Sequence, residues 1–203
     1  IIILNKDSMS MDKWQEKAKD YENVRVYQLH EKATLGDCLN FGIELANHEY
    51  IAKFDDDDYY GPAYLSSAME ECKKHQLDIL GKSSYYIYFH NEKALIFVSN
   101  EEESYVDSIA GATLVFRKEV WEQVPFEKMN RAEDYFFIKQ SKEKGYKIYS
   151  ANRYHFATIR YNTDKHTWKI SNDELMEWGT IVAYTEDFQS IVDNKDKNEV
   201  EKR

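Results

Sequence analysis

The sequence lacks any apolar run approaching the ~20 residues that a membrane-spanning helix needs, and it shows no secretory leader pattern. Positive charge is scarce: 27 Lys and Arg stand against 37 Asp and Glu, for a formal net charge of −10, which argues against a nucleic-acid partner. Cysteine is scarce too. Because Cys38 and Cys72 fall on predicted apolar helix faces, we expect core residues rather than a disulfide. These absences favour a compact cytoplasmic protein.

Four consecutive carboxylates, Asp55 to Asp58, follow a short apolar segment at 50–54 that is predicted to be a strand. Carboxylate oxygens are the ligands that Mg²⁺ and Mn²⁺ prefer, and a turn at a strand end lets two of them converge on one ion. The alternative is a solvated loop, since runs of like charge repel and are usually exposed. The run is therefore a candidate site for a divalent cation.

Predicted helices flank this acidic run. Thr34, with Asp37 three residues later, resembles a capping box that opens a helix with one apolar face. Pro62 suits the first turn of the following helix. In open α/β sheets, ligands bind outside the carboxyl ends of the strands, so the acidic run lies where a ligand is expected.

The rest of the chain predicts further regular elements. The expected elements are a helix at 11–21, strands at 24–29 and 77–81, and a hairpin formed by 84–90 and 94–99. Ser171 and Glu174 resemble a second capping box, opening a helix whose apolar residues include Leu175, Trp178 and Val182. From Asp193 onward the sequence is mostly polar, and we expect it to fray.

At four places in the right order, the sequence resembles the family 2 glycosyltransferases of the GT-A fold. The first match consists of Leu35, Gly36, Leu39, Asn40, Gly42, Ala46, Tyr50, Ile51, Ala52, Asp55, Asp57, Asp58 and Pro62. The others are residues 111–121, similar to the strand that lines the family's sugar pocket; residues 131–136 with 144–148, similar to its second acidic motif; and Tyr154 with His155, similar to its strand-borne histidine. Four ordered matches are more specific than a DxD pattern alone.

The resemblance implies an α/β fold with a single GT-A domain and a mixed, mostly parallel central sheet. This domain would cover 1–170, with a C-terminal helix and charged tail at 171–203. Residues 1–4 would be the family's second strand, so its first strand and helix would be missing. Such a chain is expected to have weak or no transferase activity by itself.

The resemblance also implies a binding site for a nucleotide-sugar and a Mg²⁺ or Mn²⁺ ion. Asp57 would be the main metal ligand, Asp55 would face the ribose or the metal, and His155 could complete the ligand set. The remaining positions expected to contact nucleotide or sugar are Asn5, Asp7, Asp56, Gly111, Ala112 and Arg131. The family more often carries an acid at the position of Asn5.

Within the second acidic motif, Asp134 would be the general base and Glu133 would support it. The alternative is that both acids sit at a helix N-terminus and interact only with its dipole. A single in-line displacement by the acceptor hydroxyl would invert the anomeric carbon. We expect Asp134 to lie across one cleft from the acidic run.

The implied function is transfer of a sugar, most directly from a UDP-sugar, to a glycan or other hydroxyl acceptor, as in polysaccharide biosynthesis. Two other classes stay open: an inactive relative that binds carbohydrate or nucleotide, and a metal-dependent nucleotidyltransferase. Association of two copies of the chain into a homodimer is a further expectation. Finally, a loop with Arg160, Lys165, His166 and Trp168 is expected to close over the diphosphate.

Overall fold

The computed structural model describes residues 1–161 and 169–194 of the chain. In chain order its elements are β1 (Ile2–Leu4), α1 (Met11–Ala18), β2 (Val26–Gln28), α2 (Leu35–Glu44), β3 (Tyr50–Ala52), β4 (Tyr59–Tyr60), α3 (Tyr64–His75), β5 (Ile79–Gly81), β6 (Tyr85–Phe89), β7 (Ala94–Val98), β8 (Ser104–Tyr105), a 3₁₀ turn (Gly111–Thr113), β9 (Val115–Arg117), α4 (Lys118–Gln123), α5 (Glu133–Glu143), β10 (Ile148–Ser150), β11 (Phe156–Arg160), α6 (Asn172–Met176), β12 (Thr180–Tyr184) and α7 (Gln189–Val192). None of the helices described is long and apolar enough to span a membrane.

The chain divides into two compact units. Unit 1 comprises Ile1–Ile51 and Lys118–Lys144, and unit 2 comprises Ala52–Arg117 and Gly145–Arg203, of which 162–168 and 195–203 are not described. Strand β3 carries the chain from the first unit into the second.

In unit 1, α2 is fixed at its start by the predicted capping box. The Thr34 side chain accepts from the Asp37 N–H, and the Asp37 carboxylate accepts from the Thr34 N–H at 3.0 Å. The Thr34 hydroxyl also donates to the Asp37 carboxylate at 2.8 Å, and this hydrogen bond together with the one from the Thr34 N–H holds the pKa of Asp37 below its usual value. Strands β1 and β2 pair in parallel, with Ile3 opposite Tyr27.

Two residues of the first sequence motif have structural roles in unit 1. A Cβ at Gly36 would lie 1.8 Å from the carbonyl oxygen of Glu127, so only glycine fits there. The Asn40 amide accepts from Trp121 Nε1 at 2.8 Å and from the Phe126 N–H at 3.0 Å, and donates to the Phe126 carbonyl. Asn40 therefore ties α2 to α4 and to the segment after it.

Unit 2 is built on two mixed sheets. In one, β9, β5, β10 and β8 are neighbours in that order; β5 and β10 are parallel, and both outer pairings are antiparallel. In the other, the order is β12-β7-β6-β11-β4, with only β6 and β11 parallel among its pairings. Apolar residues of β6 and β7, including Ile87, Phe89 and Ile96, are fully buried in a cluster that also contains Leu175 of α6.

Several sequence predictions are confirmed. The 84–90 and 94–99 segments form the β6–β7 hairpin, both capping boxes are present, and Cys38 and Cys72 are buried free thiols. The sheets are mixed, as expected. Parallel pairing does not predominate, however, because hairpin and edge strands add antiparallel ladders on both sides of the parallel pairs.

Other predictions need correction. Helix α3 begins at Tyr64 with Ala63 as its N-cap, so Pro62 precedes the helix rather than lying in its first turn. The C-terminal helix ends at Met176, and the chain continues as β12 against β7. The apolar residues between 178 and 184 therefore belong to a turn and an edge strand. The boundary at residue 170 stays a prediction.

Candidate functional site

The acidic run forms a turn between β3 and β4 in unit 2. At its start, Lys53 is buried, and its Nζ lies 2.5 Å from Asp55 Oδ1. The Asp55 N–H donates to the Tyr60 hydroxyl at 2.9 Å. The first carboxylate is therefore anchored at both its side chain and its backbone, and neither contact was evident in the sequence.

At the end of the turn, Asp58 points inward. Its Oδ1 accepts the Ile159 N–H of β11 at 3.0 Å. Burial raises the pKa of the Asp58 carboxyl to about 7, with smaller raising contributions from Asp55 and Asp57, while the Ile159 hydrogen bond opposes the shift. Asp58 thus docks the turn on the sheet.

The middle two carboxylates, Asp56 and Asp57, are exposed. With Asp58 they line an open cavity of about 640 Å³, and its lining also includes Glu186, Phe188 and Gln189. Exposure alone also fits the solvated loop considered above. It is equally what a carboxylate needs in order to bind a cation that arrives with a substrate.

The Gly111–Thr113 segment is a 3₁₀ turn rather than part of a strand, and β9 begins only at Val115. Two tyrosines hold this turn in place. The Tyr60 hydroxyl donates to the Ala112 carbonyl at 2.7 Å, and the Tyr64 hydroxyl donates to the Thr113 carbonyl at 3.0 Å. Since Tyr60 also accepts from Asp55, its hydroxyl links the two segments that the resemblance assigns to nucleotide and sugar.

The link makes Tyr60→Phe informative. Removing the hydroxyl leaves the Asp55 N–H and the Ala112 carbonyl without this partner, so the free energy of unfolding should fall by about 1–3 kcal/mol. We also expect weaker UDP binding, because the Tyr60 hydroxyl no longer holds the acidic turn in position relative to the 3₁₀ turn. Urea unfolding and UDP titration with Mn²⁺ measure the two effects. Tyr64→Phe is the control, since it loses a hydrogen bond to Thr113 but leaves the two hydrogen bonds of the Tyr60 hydroxyl in place; equal UDP affinities for both variants would contradict the link.

Lys82, directly after β5, is a buried lysine beside the same 3₁₀ turn. Its backbone N–H donates to Thr113 Oγ1 at 2.8 Å, its carbonyl accepts from the Ala110 N–H, and its Nζ donates to the Asn152 carbonyl. Burial lowers the pKa of the Lys82 ammonium to about 7. No sequence pattern pointed to this residue.

Lys82 predicts a pH dependence of stability. An unfolded lysine has a pKa of ~10.4, so between about pH 7 and 10 the unfolded chain binds more protons, and Lys82 makes stability rise with pH. Lys82→Met should therefore flatten the rise in the free energy of unfolding between about pH 7 and 8.5, measured by urea unfolding. Lys73→Met, at an exposed position on α3, should keep the wild-type slope. A slope unchanged in Lys82→Met would show that Lys82 stays charged in the fold.

His155 lies one residue before β11 rather than on the strand. Its φ is 67°, in the left-handed region that residues other than glycine rarely adopt. Its Nδ1 lies 3.2 Å from Asp193 Oδ1. Asp193 is therefore held by the fold, so the expected fraying does not begin at this residue; residues 195–203 lie outside the described part of the chain.

The second acidic motif begins α5 in unit 1. Ala132, with φ 62°, precedes the helix, Glu133 is buried, and Asp134 is half-buried. Asp134 Oδ1 accepts the Tyr135 N–H at 2.7 Å. Both acids therefore occupy the first helical turn, as the dipole interpretation requires, and catalysis by Asp134 stays a prediction, as does its position across a cleft from the acidic run.

The remaining predicted binding residues also lie in unit 1. Asn5 follows β1. Burial raises the pKa of the Cys38 thiol, and the hydrogen bond between Cys38 and Asn5 lowers that pKa by a smaller amount. Asp7 is exposed and accepts the Glu31 N–H at 3.2 Å. Arg131 is exposed just before α5. Their contacts with nucleotide or sugar stay predictions.

The predicted closing loop is only partly described. Lys165, His166 and Trp168 lie outside the described residues. Arg160 is not a loop residue: it ends β11, is buried, and its guanidinium donates to the Ile170 carbonyl at 2.8 Å and to Asn172 Oδ1 at 3.3 Å. Burial lowers the pKa of Arg160, partly offset by Asp57 and Asp58. Arg160 thus ties β11 to the start of α6.

Within 1–161 and 169–194, no three His, Cys, Asp or Glu side chains form a complete metal site. The oxygen donors of the acidic turn nevertheless fit Mg²⁺ or Mn²⁺, because such ions are commonly held by one or two carboxylates together with substrate phosphates and water. The turn is therefore suited to a cation that a substrate helps to bind.

Comparison with known proteins gives one family. The family model described as Glycosyl transferase family 2 matches residues 1–165. No protein with a curated function is significantly similar in sequence.

Solved structures of TarS from S. aureus resemble this chain. Residues 1–349 of TarS in complex with UDP-GlcNAc match with a TM-score of 0.60 and 16% identity, over 87% of this chain and 54% of that one. The same fragment with UDP matches with a TM-score of 0.57 and 16% identity, over 78% and 50%. A further TarS structure matches with a TM-score of 0.56 and 16% identity, over 78% and 30%. This chain thus spans about half the length of the TarS fragments, and the likeness shows a common GT-A fold.

Proposed function

This chain belongs to glycosyl transferase family 2, and from that premise we propose that it transfers a sugar from a nucleoside-diphosphate donor to an acceptor hydroxyl with inversion at the anomeric carbon. Two of the TarS structures are complexes, one with UDP-GlcNAc and one with UDP, which supports a UDP-sugar as the donor. The observation that carries the proposal is the acidic turn, which presents two exposed carboxylates between two anchored ones.

The donor diphosphate must gain negative charge as the sugar leaves. A bound Mg²⁺ or Mn²⁺ ion supplies positive charge at those oxygens. Asp57 is the proposed main ligand for the ion, and Asp55, held by Lys53, either assists it or binds the ribose. The Lys53 ammonium keeps Asp55 in one orientation, so little rearrangement is needed when the donor binds.

The sugar itself is proposed to lie against the Gly111–Ala112 backbone. With no side chain at Gly111 and only a methyl group at Ala112, a ligand can approach the chain closely there. Tyr60 and Tyr64 bind the Ala112 and Thr113 carbonyls of this 3₁₀ turn, which holds the backbone proposed to face the sugar in one conformation.

Asp134 is the proposed base that takes the proton from the acceptor hydroxyl as that oxygen attacks the anomeric carbon. Glu133 supports it at the start of α5. A positioned base is worth about 10²–10⁴-fold in rate. The proton goes to the Asp134 carboxylate, the new glycosidic bond forms, and the bond from the anomeric carbon to the diphosphate breaks.

The proposal is tested by titrating UDP, GDP, CDP and ADP into the chain with Mn²⁺ and with EDTA. We expect UDP to bind, and to bind much more weakly without metal. Nucleotide binding that is indifferent to metal would favour the inactive binding relative. Release of pyrophosphate from a nucleoside triphosphate, without UDP release from a UDP-sugar, would favour the nucleotidyltransferase.

A further inference from the structure

The cavity beside the acidic turn includes the ends of two parallel strands of unit 2. Strands β6 and β11 pair in parallel as far as Phe89 opposite Arg160, and the His90 N–H then donates to the Arg160 carbonyl at 2.9 Å. His90 and Tyr161 are the first residues beyond the carboxyl ends of this pair, and both line the cavity. In open α/β sheets, ligands bind outside such ends.

These two residues form a pair of exposed rings. The centroids of His90 and Tyr161 lie 4.8 Å apart, with 37° between the ring planes, and both residues are exposed. A third ring of the lining, Tyr88, meets His90 edge-on at 6.4 Å. The pair therefore offers an aromatic surface to a ligand that enters the cavity.

The other aromatic residues of the lining are held by the fold. The Phe188 ring stacks on Tyr88 at a centroid distance of 4.1 Å and meets Tyr59 edge-on at 5.4 Å. The Tyr88 hydroxyl donates to the Thr185 carbonyl at 2.9 Å, and the Tyr59 hydroxyl donates to Asp193 Oδ2 at 2.6 Å. Because these rings already have their partners, this part of the cavity is formed before a ligand binds.

The charge of the cavity limits what it can bind. Four of its described lining residues carry carboxyl groups: Asp56, Asp57, Asp58 and Glu186. Among those lining residues, Lys93 is the only lysine or arginine, and it forms an ion pair with Glu186. Carboxylates accept hydrogen bonds from hydroxyl and ammonium groups and repel anions. The lining therefore suits a ligand rich in hydroxyl groups and disfavours one that carries phosphate or carboxylate.

The two ends of the acidic turn contact different segments. Asp55 is linked to the 3₁₀ turn through the Tyr60 hydroxyl, whereas Asp58 accepts the N–H of Ile159, which lines the cavity. The described lining includes no residue of the 3₁₀ turn, against which the donor sugar is proposed to lie. A ligand in the cavity thus lies beside the acidic turn without occupying the place of the donor sugar.

We propose that this cavity binds the acceptor of the transfer reaction, and that the acceptor is a saccharide without anionic groups. This inference rests on the proposed function and names the acceptor class for it. The apolar face of a sugar ring packs on the His90–Tyr161 pair, and the sugar hydroxyls donate to the carboxylates of the lining. The volume of about 640 Å³ lies within the range of ~300–1,000 Å³ that small-ligand sites have.

The first test uses three β-1,4-linked trisaccharides, made of glucose, glucosamine or glucuronic acid. They share linkage and ring configuration and differ mainly in charge. Each is titrated into the metal-free chain at a pH at which the glucosamine amines are protonated. We expect the glucosamine trimer to bind most tightly and the glucuronic acid trimer most weakly. Binding of the glucuronic acid trimer as tightly as the glucose trimer, or binding of none of the three, would overturn the inference.

Substitution of Tyr161 shows whether the ring pair is the binding surface. Tyr161→Ala should weaken binding of the glucose trimer by about 2–10-fold, while Tyr161→Phe, which keeps the ring, should bind as the wild type does. Tyr105→Ala is the matched control, because Tyr105 is also an exposed tyrosine whose ring meets another ring, that of Tyr149 at 5.4 Å. Equal affinities for folded Tyr161→Ala and the wild type would overturn the inference.

A titration with UDP and Mn²⁺ separates this inference from the proposed function. With both at saturation, the glucose trimer should bind with nearly its metal-free affinity, and Tyr161→Ala should leave UDP affinity unchanged. Competition between the trimer and UDP would place the saccharide in the nucleotide site and would overturn the inference. Conversely, failure of Mn²⁺-dependent UDP binding, with the trimers binding in the expected order, would count against the proposed function alone.

Discussion

Asp57→Asn is expected to abolish Mn²⁺-dependent UDP binding while the chain stays folded. A neutral amide oxygen is a poor ligand for a hard cation compared with a carboxylate. Asp57 is exposed, so its substitution should change stability by no more than about 0.5 kcal/mol. UDP titration with saturating Mn²⁺, together with a thermal melt, measures both quantities.

Asp20→Asn is the matched control for this change. Asp20 is also an exposed turn acid, in the turn after α1, and its substitution removes the same charge. It should leave UDP affinity unchanged. If Asp57→Asn binds UDP as the wild type does, another group must hold the diphosphate.

The second large effect is expected at Asp134. Asp134→Asn should lower the rate of UDP release from the proposed UDP-sugar donor by about 10²–10⁴-fold, because an amide cannot take the proton of the attacking hydroxyl. UDP affinity should stay near the wild-type value, since proton abstraction and ground-state binding are separate steps. Steady-state kinetics and UDP titration separate the two.

The dipole interpretation of Asp134 is tested with Asp12→Asn. Asp12 is the second residue of α1, as Asp134 is the second residue of α5, so both substitutions remove the same interaction with a helix dipole. Asp12→Asn should have no effect on turnover. Equal, small effects of the two substitutions would leave Asp134 with a structural role, and a parallel loss of UDP affinity in Asp134→Asn would contradict its assignment as a base.

The sequence predicted those features that depend on neighbours along the chain. Capping boxes need only residues three apart, so those at Thr34 and Ser171 were found, and the hairpin after β5 was found from its two strand-like segments. The segment at 180–184 was misread, because its apolar residues also suit a helix face. Its β-branched Thr180, Ile181 and Val182 were the available signal for a strand.

The geometry of the site depended on contacts that a linear pattern does not reveal. Lys53 lies two residues before Asp55, yet its burial, which makes the ion pair significant, comes from the fold. The left-handed backbone of His155 has no sequence signature of its own. Its partner Asp193 is 38 residues further along the chain, among polar residues typical of a tail.

The contact between Tyr59 and Asp193 also affects how the protein is made. It joins residues 134 apart, and the parallel pairing of β6 with β11 likewise closes a long loop. Such contacts form slowly, because the entropy of loop closure is lost before the contact contributes. During synthesis, the acidic turn leaves the ribosome well before Asp193 does, so until then the Tyr88 and Tyr59 rings lack Phe188 as a cover. The nascent chain therefore passes through an interval in which these aromatic surfaces are open to chaperones or to other chains.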